Sequence, residues 1–276
     1  MLIKIYVDKM IEERLSELRN NGIIKIQKFL DSTELKKFSS IVRSYSAPKG
    51  HKDSYFSTSK KHLLYKLIKF NFKKFFEDAY VLNLAKKKKL NNLSDKIYGK
   101  KSNLRFIDGY YSKISNKEVL PWHTDQAYLG DEKKKDGYVN PDHYFLKIFI
   151  FLTDVGPDNG CMSYIPTSQK IGYAIRKGIF EEKIKYENYW SLEDFRKIIK
   201  NKNNVKYFNE YFKEKKIIVN FLIKTDFVEK REESREFDYN LNAGDAIIFD
   251  EGGVHKGSKT LYNDRMVLRY IYSASI

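Results

Sequence analysis

The chain has 276 residues, of which 42% are hydrophobic and 15% aromatic, so disordered and collagen-like classes are excluded. The formal charge is +16, yet residues 1–101 carry 24 lysines and arginines against 10 aspartates and glutamates, and the rest is nearly neutral. A single cysteine, Cys161, excludes an intramolecular disulfide and a cysteine-based zinc cluster.

The predicted environment is a reducing cytoplasm. The first 22 residues carry charges throughout and lack the apolar run of a signal peptide. Lysines interrupt the longest apolar region, residues 62–85, too often for a bilayer span, so no membrane association is expected. A nucleic-acid partner is not expected either, because only 10 of the 52 basic residues are arginine, the usual phosphate-binding side chain. No oligomeric state is predicted.

The first third of the chain reads as mainly helical. Hydrophobic periodicity and turn residues predict a helix over 8–20, a strand over 22–30, a helix over 31–41 and further helices over 60–98. Asp31 and Glu34 have the spacing of a capping box, which favours a helix start at that point.

From residue 102 onward the texture becomes β-rich. Strands are predicted in LRFIDGYYSKI, HYFLKIFIFLTDV, CMSYI, KIIVNFLIKT, DAIIFD and MVLRYIYSA. No regular helical crossovers separate these runs, which favours a β-sandwich or jelly roll over repeated βαβ units. A helical, aromatic-rich excursion over residues 170–215 interrupts them, and an excursion of that length is typical of a lid or binding wall.

One group of residues has the pattern of a metal site. In PWHTDQ, His123 and Asp125 lie two residues apart, so on an extended backbone both side chains leave the same side. The pair alone is a weak signal. His255 offers a third ligand, because it follows the strand predicted in DAIIFD and a glycine-rich turn.

Two imidazoles and one carboxylate on one face of an iron ion leave adjacent positions open, as in non-heme Fe(II) oxygenases. A 2-oxo acid can chelate there, and its distal carboxylate then requires a fixed cation. Arg265 suits this role because a guanidinium stays charged and binds carboxylates bidentately. Arg269 shares the strand parity of Arg265 and is the alternative.

The sequence resembles the phytanoyl-CoA dioxygenase family of Fe(II)- and 2-oxoglutarate-dependent oxygenases. The similar segments, in order, are NGIIKIQKFLDSTELKKF, PWHTDQ, FLTDVGPDNGCMSYIPTSQK, NAGDAIIFDEGGVHKGS and NDRMVLRY. They span roughly residues 8–170 and 240–273. One departure is that the family's Pro-Gly-Ser-His turn reads Pro166-Thr167-Ser168-Gln169.

The resemblance implies a role for each matched residue. His123, Asp125 and His255 would bind the iron, and Arg265 would bind the side-chain carboxylate of 2-oxoglutarate. Lys113 falls where related enzymes often use a lysine near the co-substrate. Phe149 matches an aromatic position that walls the co-substrate pocket, although an ordinary core phenylalanine fits its strand position equally well.

The resemblance also implies the fold and the activity. A mainly β protein with flanking helices is expected, a double-stranded β-helix or cupin-like jelly roll forming one oxygenase domain over residues 1–276. Its parts would be a basic helical region (1–101), the jelly-roll core (102–170 and 216–276) and a helical insert over the active site (171–215).

The expected activity is hydroxylation of an unidentified small molecule with Fe(II), O₂ and 2-oxoglutarate, which becomes succinate. The retained Asp125 argues for hydroxylation or desaturation, because halogenating relatives vacate that position. Two alternatives stay open: a cupin-type metal-dependent enzyme that is not an oxygenase, and a basic binding module.

Several other residues have no firm assignment from the sequence. Gln126 and Tyr128 could face substrate, Trp122 and Trp190 could pack or recognise a ligand, and no site role is expected for the remaining histidines, which are His51, His62 and His143.

Overall fold

The computed structural model describes residues 14–46, 54–128, 141, 143–214 and 216–275. The helices are α1 (described over residues 14–21), α2 (Ser32–Ser46), α3 (Lys60–Ile68), α4 (Phe72–Lys87), α5 (Leu90–Tyr98), α6 (Ser168–Phe180), α7 (Leu192–Lys200), α8 (Val205–Phe212), α9 (Lys216–Lys224) and α10 (Phe227–Lys230). Among these described helices, none combines the length and apolar composition that a bilayer crossing requires.

The strands are β1 (Ile23–Ile26), β2 (Ser54–Tyr55), β3 (Ser102–Ser112), β4 (Leu120–Tyr128), β5 (His143–Phe151), β6 (Met162–Tyr164), β7 (Tyr189–Ser191), β8 (Asp238–Tyr239), β9 (Ala246–Asp250), β10 (His255–Gly257) and β11 (Arg265–Ser275). They form a six-stranded sheet in the order β1-β9-β5-β11-β3-β2 and a five-stranded sheet in the order β7-β4-β10-β6-β8. The neighbouring strands pair antiparallel. The predicted jelly roll is confirmed.

Strand parity divides the core of the six-stranded sheet between its two faces. On β5, Ile148 and Ile150 pack in the cluster formed with α2, α4 and α5, whereas Phe149 and Phe151 pack in a second cluster with residues of the five-stranded sheet. Successive side chains of a strand point to opposite faces, so the odd-numbered positions of β5 face the space between the sheets. Polar side chains at odd positions of this strand are therefore placed inside the jelly roll.

The predicted start of the second helix is confirmed, and the helix continues past residue 41 to Ser46. The backbone N–H of Glu34 donates to Asp31 Oδ1 over 2.8 Å, and the backbone N–H of Asp31 donates to Glu34 Oε2 over 3.1 Å. This reciprocal pair is the capping box expected from the sequence. Of the helix predicted over 8–20, only the part from residue 14 lies within the described residues.

One strand prediction is wrong. The run KIIVNFLIKT, residues 216–225, forms helix α9, so the helical stretch that begins at Ser168 extends to Lys230. Phe221 is buried, and Ile217, Ile218 and Leu222 pack beside it in a cluster made mainly by the helical insert. Counted from Ile217, the other three positions lie one, four and five residues further on, so all four lie on one face of a helix. Packing of this face in the tertiary structure favours the helix over the strand that the sequence also allowed.

Candidate active site

The two histidines are held opposite each other by strand pairing. His255, at the start of β10, is the direct partner of His123 on β4, and their ring centroids are 4.4 Å apart. Asp125 lies on the same strand as His123, and candidate ligand atoms of all three residues lie within 4.8 Å of one another. Asp125 Oδ2 is 2.9 Å from His255 Nε2, and its Oδ1 is 3.6 Å from His123 Nε2.

Backbone carbonyls orient both imidazoles. Nδ1 of His123 lies 2.7 Å from the carbonyl oxygen of Pro121, and Nδ1 of His255 lies 3.1 Å from that of Gly253. These contacts place the ring proton on Nδ1 and leave the Nε2 lone pair of each ring facing Asp125. His123 Nε2 is buried without a hydrogen-bond partner. A divalent cation between the three side chains would satisfy it.

A lysine that the sequence interpretation missed lies against the aspartate. Lys147 Nζ is 2.7 Å from Asp125 Oδ2 and 3.1 Å from Glu251 Oε1. Burial alone would raise the pKa of Asp125, but the adjacent charge of Lys147 is the largest opposing influence, and the pKa lies well below its usual range. Burial raises the pKa of Glu251, and the adjacent Lys147 opposes that rise. Asp125 is therefore an anion ready to bind a metal.

Arg265 lies deep in the same interior. Its guanidinium is 5.8 Å from the ring of Tyr110 and 5.5 Å from that of Phe151, and burial lowers its pKa to about 10. Nε of Arg265 has no hydrogen-bond partner, and among the described residues no carboxylate forms an ion pair with this arginine. Gly160 permits this placement, since a Cβ there would lie 2.6 Å from Arg265 Cδ.

Arg269, the alternative, is already engaged. Its Nε and Nη2 donate to the two carboxylate oxygens of Asp108 over 2.8 and 2.6 Å, a bidentate pair across β11 and β3. A guanidinium held in this way has less capacity for a ligand carboxylate than Arg265 has. Arg265 therefore remains the candidate for binding the carboxylate.

The two weaker expectations fall in different places. Lys113 directly follows β3 and is exposed, and the lysine that contacts Asp125 is Lys147 instead. Phe149 is buried on the inner face of β5, 5.0 Å from the Phe249 ring and 5.6 Å from the Arg269 guanidinium. It therefore walls the interior that holds the arginines and also packs in the core.

Sequence reasoning missed Lys147 and Glu251, although one signal was present. Lys147 is the single charged residue in the apolar run FLKIFIF, and its odd position on β5 directs it inward. Glu251 directly follows the buried strand β9, and no feature of the sequence around it indicated that it points inward.

The insert reaches the site through β7. Strand β7 pairs with β4, and the ring of Trp190 on β7 lies 5.1 Å from that of His123. Trp122 instead packs on Phe227 and Phe237. Gln126 is buried, and both of its side-chain polar atoms lack partners.

The other residues singled out lie away from the three ligands or beyond description. His62 is exposed, and His143 begins β5, where its carbonyl accepts from Arg176. His51 and the side chain of Tyr128 lie outside the described residues.

The turn that departs from the family pattern supports the loop before His255. Thr167 adopts a left-handed backbone with φ of 74°, the conformation that favours glycine. Ser168 Oγ accepts from the backbone N–H of Val254 over 2.7 Å, and Gln169 Nε2 donates to the carbonyl of Asn20 over 3.1 Å. The altered turn therefore still anchors the residue next to His255.

The fold and the site together assign this chain to a class of jelly-roll proteins. In this class a His-X-Asp pair lies on one strand and a distal histidine lies on the neighbouring strand. The sequence profile of the phytanoyl-CoA dioxygenase (PhyH) family matches residues 18–261. The chain belongs to that family. Comparison with proteins of curated function finds no match.

Solved structures share the fold at low identity. HygX from Streptomyces hygroscopicus, crystallised with nickel, 2-oxoglutarate and hygromycin B, has a TM-score of 0.55 and 15% identity, covering 94% of this chain and 86% of its own. SnoN, an epimerase crystallised with Fe³⁺, α-ketoglutarate and nogalamycin RO, has a TM-score of 0.52 and 13% identity, covering 97% and 86%. The carbocyclase SnoK has a TM-score of 0.55 and 15% identity, covering 95% and 83%. At this identity the likeness establishes the fold.

Proposed function

We propose that this protein is an Fe(II)- and 2-oxoglutarate-dependent dioxygenase that hydroxylates a small molecule. The observation that carries the proposal is the convergence of His123, Asp125 and His255, with ligand atoms within 4.8 Å of one another. Family membership supports iron and 2-oxoglutarate as the cofactor and co-substrate. Structures of the same fold include an epimerase and a carbocyclase, so membership of the fold does not imply hydroxylation, which we propose in addition.

The side chains present fit a ferrous ion. Two neutral imidazoles and one carboxylate are the donor set that leaves adjacent coordination positions free on iron. The unpartnered Nε2 of His123 is buried, which is costly unless a metal or donor satisfies it. Lys147 holds one oxygen of Asp125, which limits rotation of that carboxylate and orients it toward the histidines.

The interior also fits a dicarboxylate. Arg265 is a buried guanidinium with unused hydrogen-bonding capacity. Leaving such a charge unpaired in the interior is unfavourable, and a bidentate carboxylate would relieve it. The aromatic rings of Tyr110 and Phe151 lie 5.8 and 5.5 Å from the guanidinium and add apolar surface beside the carboxylate that it would bind.

When bound, iron and 2-oxoglutarate supply the oxidising chemistry, in which O₂ and the keto acid yield succinate, CO₂ and one hydroxyl group on the substrate. The chain's own residues orient the reactants. His123, Asp125 and His255 would hold the ion, Arg265 would bind the far carboxylate of the co-substrate, and Trp190 packs against the ring of His123.

The test is Fe(II)-dependent formation of succinate from 2-oxoglutarate by the purified protein. His123→Ala and Asp125→Ala should each abolish turnover, with unchanged circular dichroism as the check on folding. Retained turnover in both folded variants would contradict the proposal.

Arg265 separates the oxygenase from a cupin-type enzyme of another reaction class. Arg265→Lys keeps the charge but loses the bidentate fork, so the KM for 2-oxoglutarate should rise about tenfold or more while Mn(II) affinity is unchanged. If Arg265→Ala leaves catalysis unaltered, the enzyme needs no side chain to bind a dicarboxylate. That result would favour a cupin-type metal enzyme over the proposed dioxygenase.

A further inference from the structure

A cavity of about 280 Å³ opens beside the candidate metal site. Its inner wall holds Asp125, Lys147 and Glu251, and Arg269 with Asp108 forms another side. Because Asp125 lines it, a molecule bound in this cavity lies next to the metal ligands. If the proposed function holds, the occupant of this cavity is the substrate of the dioxygenase.

The charges that line the cavity are almost fully paired with one another. Lys147 and Glu251 are only 8% and 5% exposed, and the lysine lies between Asp125 and Glu251. Arg269 is joined bidentately to Asp108. Neither cation is therefore available without breaking a buried ion pair, so an anionic ligand would meet carboxylates rather than a vacant positive charge.

One acceptor is left over. Glu251 uses Oε1 for Lys147, while its other carboxylate oxygen, Oε2, is buried without a hydrogen-bond partner. Burial raises the pKa of Glu251 to about 7, so above that pH the side chain is a carboxylate, whose oxygens accept hydrogen bonds and cannot donate them. The missing partner is consequently a donor, such as a hydroxyl or an ammonium group of a bound molecule.

The mouth of the cavity is apolar, in contrast to its charged inner wall. Tyr55 and Phe106 are 62% and 45% exposed, and their ring centroids lie 6.2 Å apart. Ile271 lies beside them in the lining. Aromatic rings exposed at the rim of a polar cavity offer an apolar surface for one face of a ligand.

We propose that the substrate is a small ring compound that carries a hydroxyl or amino group. Its donor binds Glu251 Oε2, and its apolar ring face packs against Tyr55 and Phe106. The volume accommodates a single substituted ring, and the paired charges disfavour a carboxylate or phosphate in the cavity.

Saturation-transfer NMR on the purified full chain, free of metal and at about pH 8.5, where Glu251 is ionised, tests the proposal with four ring probes. Cyclohexanol and cyclohexylammonium donate hydrogen bonds, whereas cyclohexanone and cyclohexanecarboxylate only accept them. The two donors should bind about tenfold more tightly than the two acceptors, the ratio expected for one hydrogen bond to an ionised group. Preference for the alcohol would assign a neutral hydroxyl donor, and preference for the amine an ammonium.

Glu251→Gln gives the sharper comparison. Lys147 requires the amide oxygen on its own side, so the variant presents an NH₂ group where Oε2 was. Cyclohexylammonium should lose about tenfold in affinity and cyclohexanone should gain. Glu236→Gln, an exposed change of the same type, should leave the order of the four probes unaltered.

A second variant keeps the test decisive if Glu251→Gln does not fold. Tyr55 is exposed, so Tyr55→Ala should fold and should weaken every ring probe about fivefold without changing their order. The proposal is overturned if the acceptors bind as tightly as the donors, if none of the four probes binds, or if both variants match the wild type. Failure to bind Mn(II) would instead count against the proposed function, because the probe order is measured without metal.

Discussion

At the scale of single residues, strained and buried groups cluster around the loop that leads to His255. Thr167 occupies the left-handed region just before α6, and Asp250 ends β9 with its carboxylate buried. Asp250 accepts from the Tyr173 hydroxyl over 2.6 Å and from the backbone N–H of Gly252 over 2.8 Å. The candidate metal site is thus supported by groups that each lower the free energy of unfolding, and substitutions can measure by how much.

Thr167→Gly should stabilise the protein by about 0.5–1 kcal/mol, because a β-branched side chain at φ of 74° is strained and glycine is not. The Thr167 side chain makes no cap hydrogen bond that the change would remove. The measurement is urea unfolding followed by tryptophan fluorescence. Thr167→Ala retains the Cβ and should show no comparable gain, and an equal gain in both variants would refute the explanation.

Asp250→Asn should remove part of the pH dependence of stability. Burial raises the pKa of Asp250 to about 6, above the value of about 3.9 that an aspartate has in an unfolded chain. The folded state therefore binds more protons than the unfolded state between about pH 4 and 6, and stability falls as pH rises through that window. Asparagine cannot ionise, so the variant should gain up to about 3 kcal/mol relative to wild type on going from pH 4 to 7.

The measurement for Asp250 is the free energy of unfolding from urea titrations at several pH values. Asp226→Asn, at a half-exposed position, serves as the control for the change in charge. Parallel stability profiles of wild type and Asp250→Asn across pH 4–7 would show that the Asp250 carboxylate does not titrate in this window.

At the scale of elements, helix α6 fixes the loop between β9 and β10. Gly172 of α6 faces the backbone of Gly252, and a Cβ at position 172 would lie 2.3 Å from the Gly252 carbonyl oxygen. Gly253 is equally restricted, since a Cβ there would lie 1.9 Å from the Tyr164 hydroxyl. Close contact between these backbones places His255, two residues further on, opposite its partner on β4.

Gly172→Ala should therefore displace the loop and weaken the metal site. Overpacking of this kind typically destabilises by about 1–3 kcal/mol, and Mn(II) affinity should fall as His255 moves. Gly99→Ala is a matched control, because its φ of 67° makes alanine costly while nothing lies within 4 Å of the added Cβ. Calorimetric titration with Mn(II) should find a loss in Gly172→Ala alone, and equal affinities in both variants would contradict the role of α6.

At the scale of the whole molecule, three apolar clusters hold the two sheets and the helices together. One joins the N-terminal helices to the outer face of the six-stranded sheet, one fills the space between the sheets, and one belongs largely to the helical insert. Because the insert has a core of its own, it forms a packed wall and not a long flexible loop. The candidate site lies between these bodies, so ligands should stabilise the entire fold.

Mn(II) with 2-oxoglutarate should raise the melting temperature. A ligand at about 100 times its Kd stabilises the folded state by about 2.7 kcal/mol, equivalent to roughly 5–10 °C for a protein of this size. EDTA should reverse the metal's contribution. Differential scanning fluorimetry checks both, and His123→Ala should show little response to Mn(II). An equal shift in that variant would place the metal elsewhere.

Local features were predictable because neighbouring residues determine them. The capping box of Asp31 and Glu34, the same-side projection of His123 and Asp125, and the shared strand parity of Arg265 and Arg269 all follow from backbone geometry over a few residues. The jelly-roll class followed from family resemblance together with the series of short strands.

Features that depend on partners distant in the chain were decided by tertiary structure alone. Residues 216–225 have an apolar pattern compatible with a strand or a helix, and packing of Phe221 in the insert selects the helix. Arg265 and Arg269 share one strand face, and only the position of Asp108 on the next strand distinguishes them. Lys147 meets Asp125 of the other sheet and Glu251 at the end of the neighbouring strand, and no local rule fixes such contacts. Sequence therefore determined which residues point inward, whereas the pairing of the sheets determined which of them meet.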